Sequence, residues 1–271
     1  MRISIRHRTV YGYSEPAHHS VQYLRVTPRD SAWQEVRDWR LAAPGALAPW
    51  TDHFGNRCHT LTVTGPVEEI VIEAVGTVET AEAGGVLPFE ASDLPLGVYA
   101  RTTGLTRADD GLRAFAERHR AALDDDRVAG LHALMRGVAG ALRYDEDASH
   151  AHATAAEALA EGAGDYPDHA HVFIAACRHL GLAARYVGGY LASGGGAHRV
   201  RGHGWAEAAV PDLGWVGFDP ANGRAATEDY LRIAVGFDSA DAAAVRGIRR
   251  DGGEESTTVE IEIEELATQQ Q

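Results

Sequence analysis

The sequence predicts an α+β protein in two unlike parts, a β-rich N-terminal domain and a mixed core built on an antiparallel sheet. Three observations carry this. Residues 1–82 read as β, with segments that alternate apolar and polar positions at the period of two of a half-buried strand, broken by turns. From residue 107 the apolar spacing changes to that of helices, and from residue 185 it returns to short strands separated by tight turns.

The elements follow in order. Ile3, Ile5 and His7 alternate with Arg2, Ser4 and Arg6, and Val21, Tyr23 and Arg25 repeat the pattern up to the Thr27–Asp30 stop. Phe54–Arg57 reads as a turn, followed by strands around Leu61–Val63 and Ile70–Val75. Residues 83–106, rich in Gly and Pro, read as a linker. Helical spacing then links Leu112, Phe115 and Ala116, and again Leu131, Leu134, Met135 and Val138. Thr154 and Glu157 form a capping-box signature for a helix that stops at Gly162. Pro167 suits the start of the next helix. Ala170, Phe173, Ile174 and Cys177 mark its buried face, and Gly181 its end. Strands are expected at 185–191, 204–210, 215–219, 231–235 and 258–263, with a flexible tip at Ser193–Gly196. The division is 1–82, linker 83–106, core 107–225 and a C-terminal β extension 226–271.

Composition narrows the function. The chain has 271 residues, 45% of them hydrophobic, enough for a substantial core. Its formal charge is −14, and all 25 basic residues are arginine. Lysine-dependent chemistry is therefore excluded, and the acidic balance argues against nucleic acid as a partner. Two cysteines, Cys58 and Cys177, do not make a disulfide framework or a cysteine zinc cluster. No window is apolar enough to span a bilayer and the start lacks a signal core, so a cytoplasmic protein without membrane partners is expected.

The chemistry concentrates between residues 164 and 223. His203-Gly-Trp-Ala-Glu207 and Leu213-Gly-Trp-Val-Gly-Phe-Asp-Pro-Ala-Asn-Gly223 flank a short Pro211–Gly214 turn. A hairpin there would carry His203 and Asp219 to the same end of two paired strands. Cys177–Tyr190 precedes them as a helix-to-strand passage. These segments resemble bacterial transglutaminase-like proteins, and Leu24–Arg29 with His53–Arg57 resembles that family's β-rich N-terminal domain. The resemblance implies a papain-like core with a Cys-His-Asp triad and no cofactor. His203 and Asp219 would be two of its members, with the cysteine at the start of a helix, where the dipole stabilises a thiolate.

The family pattern is roughly Gly-x-Cys-x-Asp-x-Ala-His, and this chain reads Gly164-Asp-Tyr-Pro-Asp-His-Ala-His171. Tyr166 thus stands at the cysteine position. Cys177, eleven residues further on, would lie about 16 Å along the helix and on its apolar face. Tyr166, His203 and Asp219 are therefore the candidate catalytic set, and Asp168, His169 and Trp205 the candidate substrate-binding set. The expected ligand is a peptide or small amide-like molecule, handled without cysteine chemistry. Two other readings stand beside this one. A non-enzymatic interaction protein would use Tyr166 as an aromatic plug. A metal-dependent hydrolase would use Asp165, His169 and His203. His150 and His152 read as surface residues.

Overall fold

The computed structural model describes residues 1–90, 94–146, 153–192, 198–200 and 202–266. His150, His152 and the Ser193–Gly196 tip lie outside them. The order of elements is β1 (Arg2–Thr27), β2 (Gln34–Ala42), β3 (Ala46–Thr51), β4 (Arg57–Thr80), β5 (Val86–Leu87), α1 (Leu96–Tyr99), α2 (Asp110–Glu117), α3 (Arg120–Asp125) and α4 (Arg127–Ala141). Then come β6 (Arg143–Tyr144), α5 (Ala155–Glu161), β7 (Ala163–Gly164), α6 (Tyr166–His179), β8 (Ala184–Leu191), β9 (His198–Val200) and β10 (His203–Val210). The chain ends with β11 (Gly214–Asp219), β12 (Arg224–Ala225), β13 (Tyr230–Gly236), β14 (Val245–Asp251) and β15 (Glu255–Glu265).

The N-terminal sheet is longer and more bent than alternation alone suggests. β1 pairs with β4 along one side, and with β15 and then β14 along the other. All three lines break at the same level: Ser14–Pro16 in β1, Gly65–Pro66 in β4, and Gly252–Gly253 between β14 and β15. Proline cannot donate to a ladder, and Gly65, Gly252 and Gly253 have positive φ. The sheet therefore turns a corner there. β2 covers one half of β4 and β3 the other.

The second sheet runs β12-β11-β10-β8-β13, with β5 added beside β11. The stretch 83–106 thus carries a strand of the core sheet and the buried Leu87 and Tyr99. The stretch 226–271 divides its strands: β13 completes the core sheet, and β14 and β15 complete the N-terminal one. Helix α6 packs on β8 and β10, and α2, α4 and α5 pack around α6. Enclosed between sheet and helices, it is buried on nearly every face, and the polar Asp168, His169, His171 and Arg178 are buried with its apolar residues. No helix among the described residues is long and apolar enough to cross a membrane.

Two amide side chains fasten the domains together. β13 is an edge strand of the core sheet, so one row of its backbone groups lacks a strand partner. Gln34 donates from Nε2 to Arg232 O and accepts from Arg232 N, each at 2.9 Å. Asn56 does the same at Val235, both contacts 2.8 Å. The register shift between Arg232 and Ala234 moves the outward-facing position from 234 to 235, which is where Asn56 meets it. Asn56 is itself held by Asp52, whose carboxylate accepts from Phe54 N, Asn56 N and Asn56 Nδ2.

Asn56→Ala should strand both backbone groups of Val235 and remove one of the donors to Asp52 Oδ2, which keeps Arg25. We expect a loss of about 2–4 kcal/mol, checked by urea unfolding.

Candidate active site

His203 opens β10 and Asp219 ends β11, and the hairpin between them pairs Ala206 with Phe218 and Val210 with Gly214. Alternation puts His203, Trp205 and Glu207 on one face of β10, and Asp219 with Trp215 on the same face of β11. The turn is tight, with positive φ at Asp212 and Gly214. His203 Nε2 lies 2.7 Å from Asp219 Oδ2. The two side chains therefore meet at the same end of the paired strands.

Asp219 is fully buried and receives more than the histidine. Oδ2 also accepts from Asn222 Nδ2 and from the Tyr230 hydroxyl, both at 2.7 Å. Oδ1 accepts from Ala221 N at 3.0 Å and Asn222 N at 3.1 Å. Burial by itself would raise the carboxyl pKa; the hydrogen bonds and charge of His203, with Asn222 and Tyr230, hold it below the ordinary value. Tyr230, by contrast, is driven up by burial and by the neighbouring carboxylate, so it remains a donor. Asp219 thus fixes the imidazole through Nε2 and leaves Nδ1 as the nitrogen it does not engage.

Trp205 is buried beneath the imidazole, its ring near-parallel at 25° and 6.3 Å between centroids. It supports His203 and does not line the cleft. Further along this face Glu207 is buried against Arg185 at 2.6 Å, and the Arg185 guanidinium sits 3.8 Å over the ring of Trp215. A buried acid between arginines stays ionised, and its pKa is lowered although burial opposes this.

Tyr166 is the first residue of α6, after Asp165 at the N-cap position. Its ring centroid is 5.3 Å from that of His203, tilted by 53°. Together they line a cavity of about 190 Å³ with Tyr186, Tyr190, Gly189 and Gly202. The Tyr166 ring therefore leaves the cleft open. His7, from β1, lines it from the N-terminal domain. Its Nδ1 is 2.6 Å from the Tyr190 hydroxyl and its Nε2 3.2 Å from Thr9 Oγ1. Burial pulls the His7 pKa down to about 4, so the ring is neutral at neutral pH.

Several sequence candidates sit elsewhere. Asp168 is buried, and its Oδ2 accepts from Asp165 N at 3.1 Å, closing the first turn of α6. His169 is buried too, with Nδ1 2.8 Å from Asp165 O and Nε2 3.3 Å from Leu142 O. Neither lines the cleft. The metal reading of Asp165, His169 and His203 fails on the same facts. Both ring nitrogens of His169 face carbonyl oxygens. No three metal-ligating side chains cluster among the described residues. Cys177 is fully buried in α6, and burial pushes its thiol far above the ordinary value. Cys58 is buried in the N-terminal domain and pushed up to about 12.

The sequence reading missed His7, Tyr186, Asn222 and Tyr230. His7 had a signal, since it continues the inward positions of Ile3 and Ile5. The other three are chemically ordinary residues that only the strand register brings to the site.

Comparison with known proteins agrees with this architecture. Residues 113–220 match the transglutaminase-like superfamily, and residues 3–79 the bacterial transglutaminase-like N-terminal region. Over residues 113–220 the core is thus similar to the transglutaminase-like superfamily. An uncharacterized protein of Mycobacterium leprae is 28% identical, covering 98% of this chain and 99% of its own length. An uncharacterized protein of Mycobacterium tuberculosis is also 28% identical, covering 94% of this chain and 90% of its own length. Among solved structures, a candidate cysteine protease from Cytophaga hutchinsonii superposes with a TM-score of 0.76 at 22% identity. That match covers 100% of this chain and 92% of the other, and it establishes a shared papain-like fold.

Asp219→Asn should cost about 2–4 kcal/mol at pH 7, because an amide cannot accept from all the donors gathered at Oδ2. A carboxyl with a lowered folded pKa stabilises above its unfolded value, near pH 4, and loses that contribution as pH falls. The gap between parent and variant should therefore narrow from pH 7 to pH 3, as measured by thermal unfolding.

Proposed function

We propose that this transglutaminase-like protein carries Tyr166 at the position of the family's nucleophile and binds a peptide or amide-like ligand in its cleft without cysteine catalysis. The observation that carries this reading is the companion of the His203–Asp219 pair at the start of α6: a tyrosine, with both cysteines buried elsewhere. His203, oriented by Asp219, is the group suited to give or take a proton, and Nδ1 is the atom suited to do so. The open cavity beside Tyr166 favours ligand binding over an aromatic plug. Asp168, His169 and Trp205 serve in this reading as supports for the helix start and the imidazole.

Two experiments test it. Any activity of the parent protein should survive iodoacetamide under native conditions, since neither thiol is accessible or ionised. Inactivation traced to alkylated Cys177 would overturn the assignment. Tyr166→Cys should create a reactive thiol, because it would lie at a helix N-terminus beside a carboxylate-oriented imidazole. Alkylation at pH 6 should be rapid, reporting a pKa well below the free value of about 8.5. A thiol that titrates at or above that value would reject the remnant triad and favour a purely non-enzymatic interaction protein.

A further inference from the structure

We propose that Tyr186 is a ligand-binding residue of this cleft, its hydroxyl donating a hydrogen bond to the carbonyl oxygen of an uncharged amide seated between Tyr166 and His203. The proposal rests on the reading that the cleft accepts an amide-like ligand, and it names the group that would recognise the oxygen.

Tyr186 lies on β8, an interior strand of the core sheet, paired with Ala206 on one side and Gly236 on the other. It is only 4% exposed, yet it lines the cavity with Tyr166 and His203. The nearby hydroxyls of Tyr190 and Tyr230 are engaged by His7 and Asp219, whereas Tyr186 lines the cavity itself. A hydroxyl that opens on a cavity can exchange water for an acceptor on a ligand seated there.

The room for this hydroxyl comes from Gly204, next to His203. A Cβ on Gly204 would stand 1.9 Å from the Tyr186 oxygen and 3.2 Å from Cδ2 of Tyr166. The absent side chain is therefore what allows Tyr186 to reach the space between Tyr166 and the strand that carries His203. The ring itself is held from behind by His171, 5.6 Å away between centroids.

The chemistry selects the ligand. Burial holds the phenol well above its ordinary value, and the charges of Asp165, Asp168 and Asp219 act in the same direction. Tyr186 thus keeps its proton and is a donor. The same three carboxylates oppose an anion at this position, so a neutral carbonyl is favoured over a carboxylate.

The test is a titration of the parent protein with acetamide and, separately, with acetate. It is followed by NMR of 13C-labelled tyrosine and histidine, with Tyr186→Phe identifying the Tyr186 signal. Acetamide should shift the Tyr186 Cζ and His203 ring signals together and saturably in the millimolar range. Tyr186→Phe should bind it about 3- to 10-fold more weakly, the worth of one neutral hydrogen bond, with the amide spectrum unchanged away from the cleft. Acetate should bind more weakly than acetamide. If His203 and Tyr166 respond while Tyr186 does not, or if Tyr186→Phe binds acetamide equally well, the Tyr186 assignment fails and the amide reading survives. Tighter binding of acetate overturns the neutral-carbonyl assignment. If no cleft residue responds to acetamide, both fail.

Discussion

A carboxylate removed from water is tolerated only when donors replace its solvation, and Asp219 is satisfied by five of them. Those donors come from the start of β10, the turn after β11 and the start of β13. The charge therefore holds three strands of the core sheet at one end, and the orientation of His203 follows from that. If Asp219 served only to orient a histidine, one contact would suffice. Its remaining donors make it a structural post as well.

The cleft also depends on the other domain. His7 reaches it from β1, and its bond to Tyr190 spans the seam between the sheets. Just before His203, β9 leaves the core and pairs with β15 at the edge of the N-terminal sheet. The approach to the imidazole is thus fixed from both sides, by Asp219 within the core and by the N-terminal sheet outside it. Gln34 and Asn56 prevent β13, which carries Tyr230, from drifting relative to that sheet.

Much of this was legible in the sequence where the signal is local. The His203–Asp219 hairpin showed because a turn separates two recognisable strands, and the Thr154–Glu157 cap because both partners lie within one turn. Asp168 was misread as a ligand-facing residue. Asp165-x-x-Asp168 has the spacing of an N-terminal cap, and the structure uses Asp168 for that purpose. Gln34 and Asn56 could not be found this way, because their partners lie 198 and 179 residues away and a polar residue in a β-rich stretch carries no mark of its target. The short β2, β3 and β14 escaped for a related reason. They follow a bent sheet whose outer positions are mostly exposed, so alternation is weak in them.

The pairing of β1 with β15 has a consequence for how the molecule is made. Ile3 sits opposite Glu265, so this sheet is complete only when two segments far apart in the chain have met. Contacts of such sequence separation form slowly, and until they form β1 presents an unsatisfied edge to any other chain. The core sheet is in a similar position, since its β13 edge emerges late but meets amides made early. The exposed edge of β1 is therefore a matter of folding order, set by how late its distant partner arrives and not by the strength of the finished ladder.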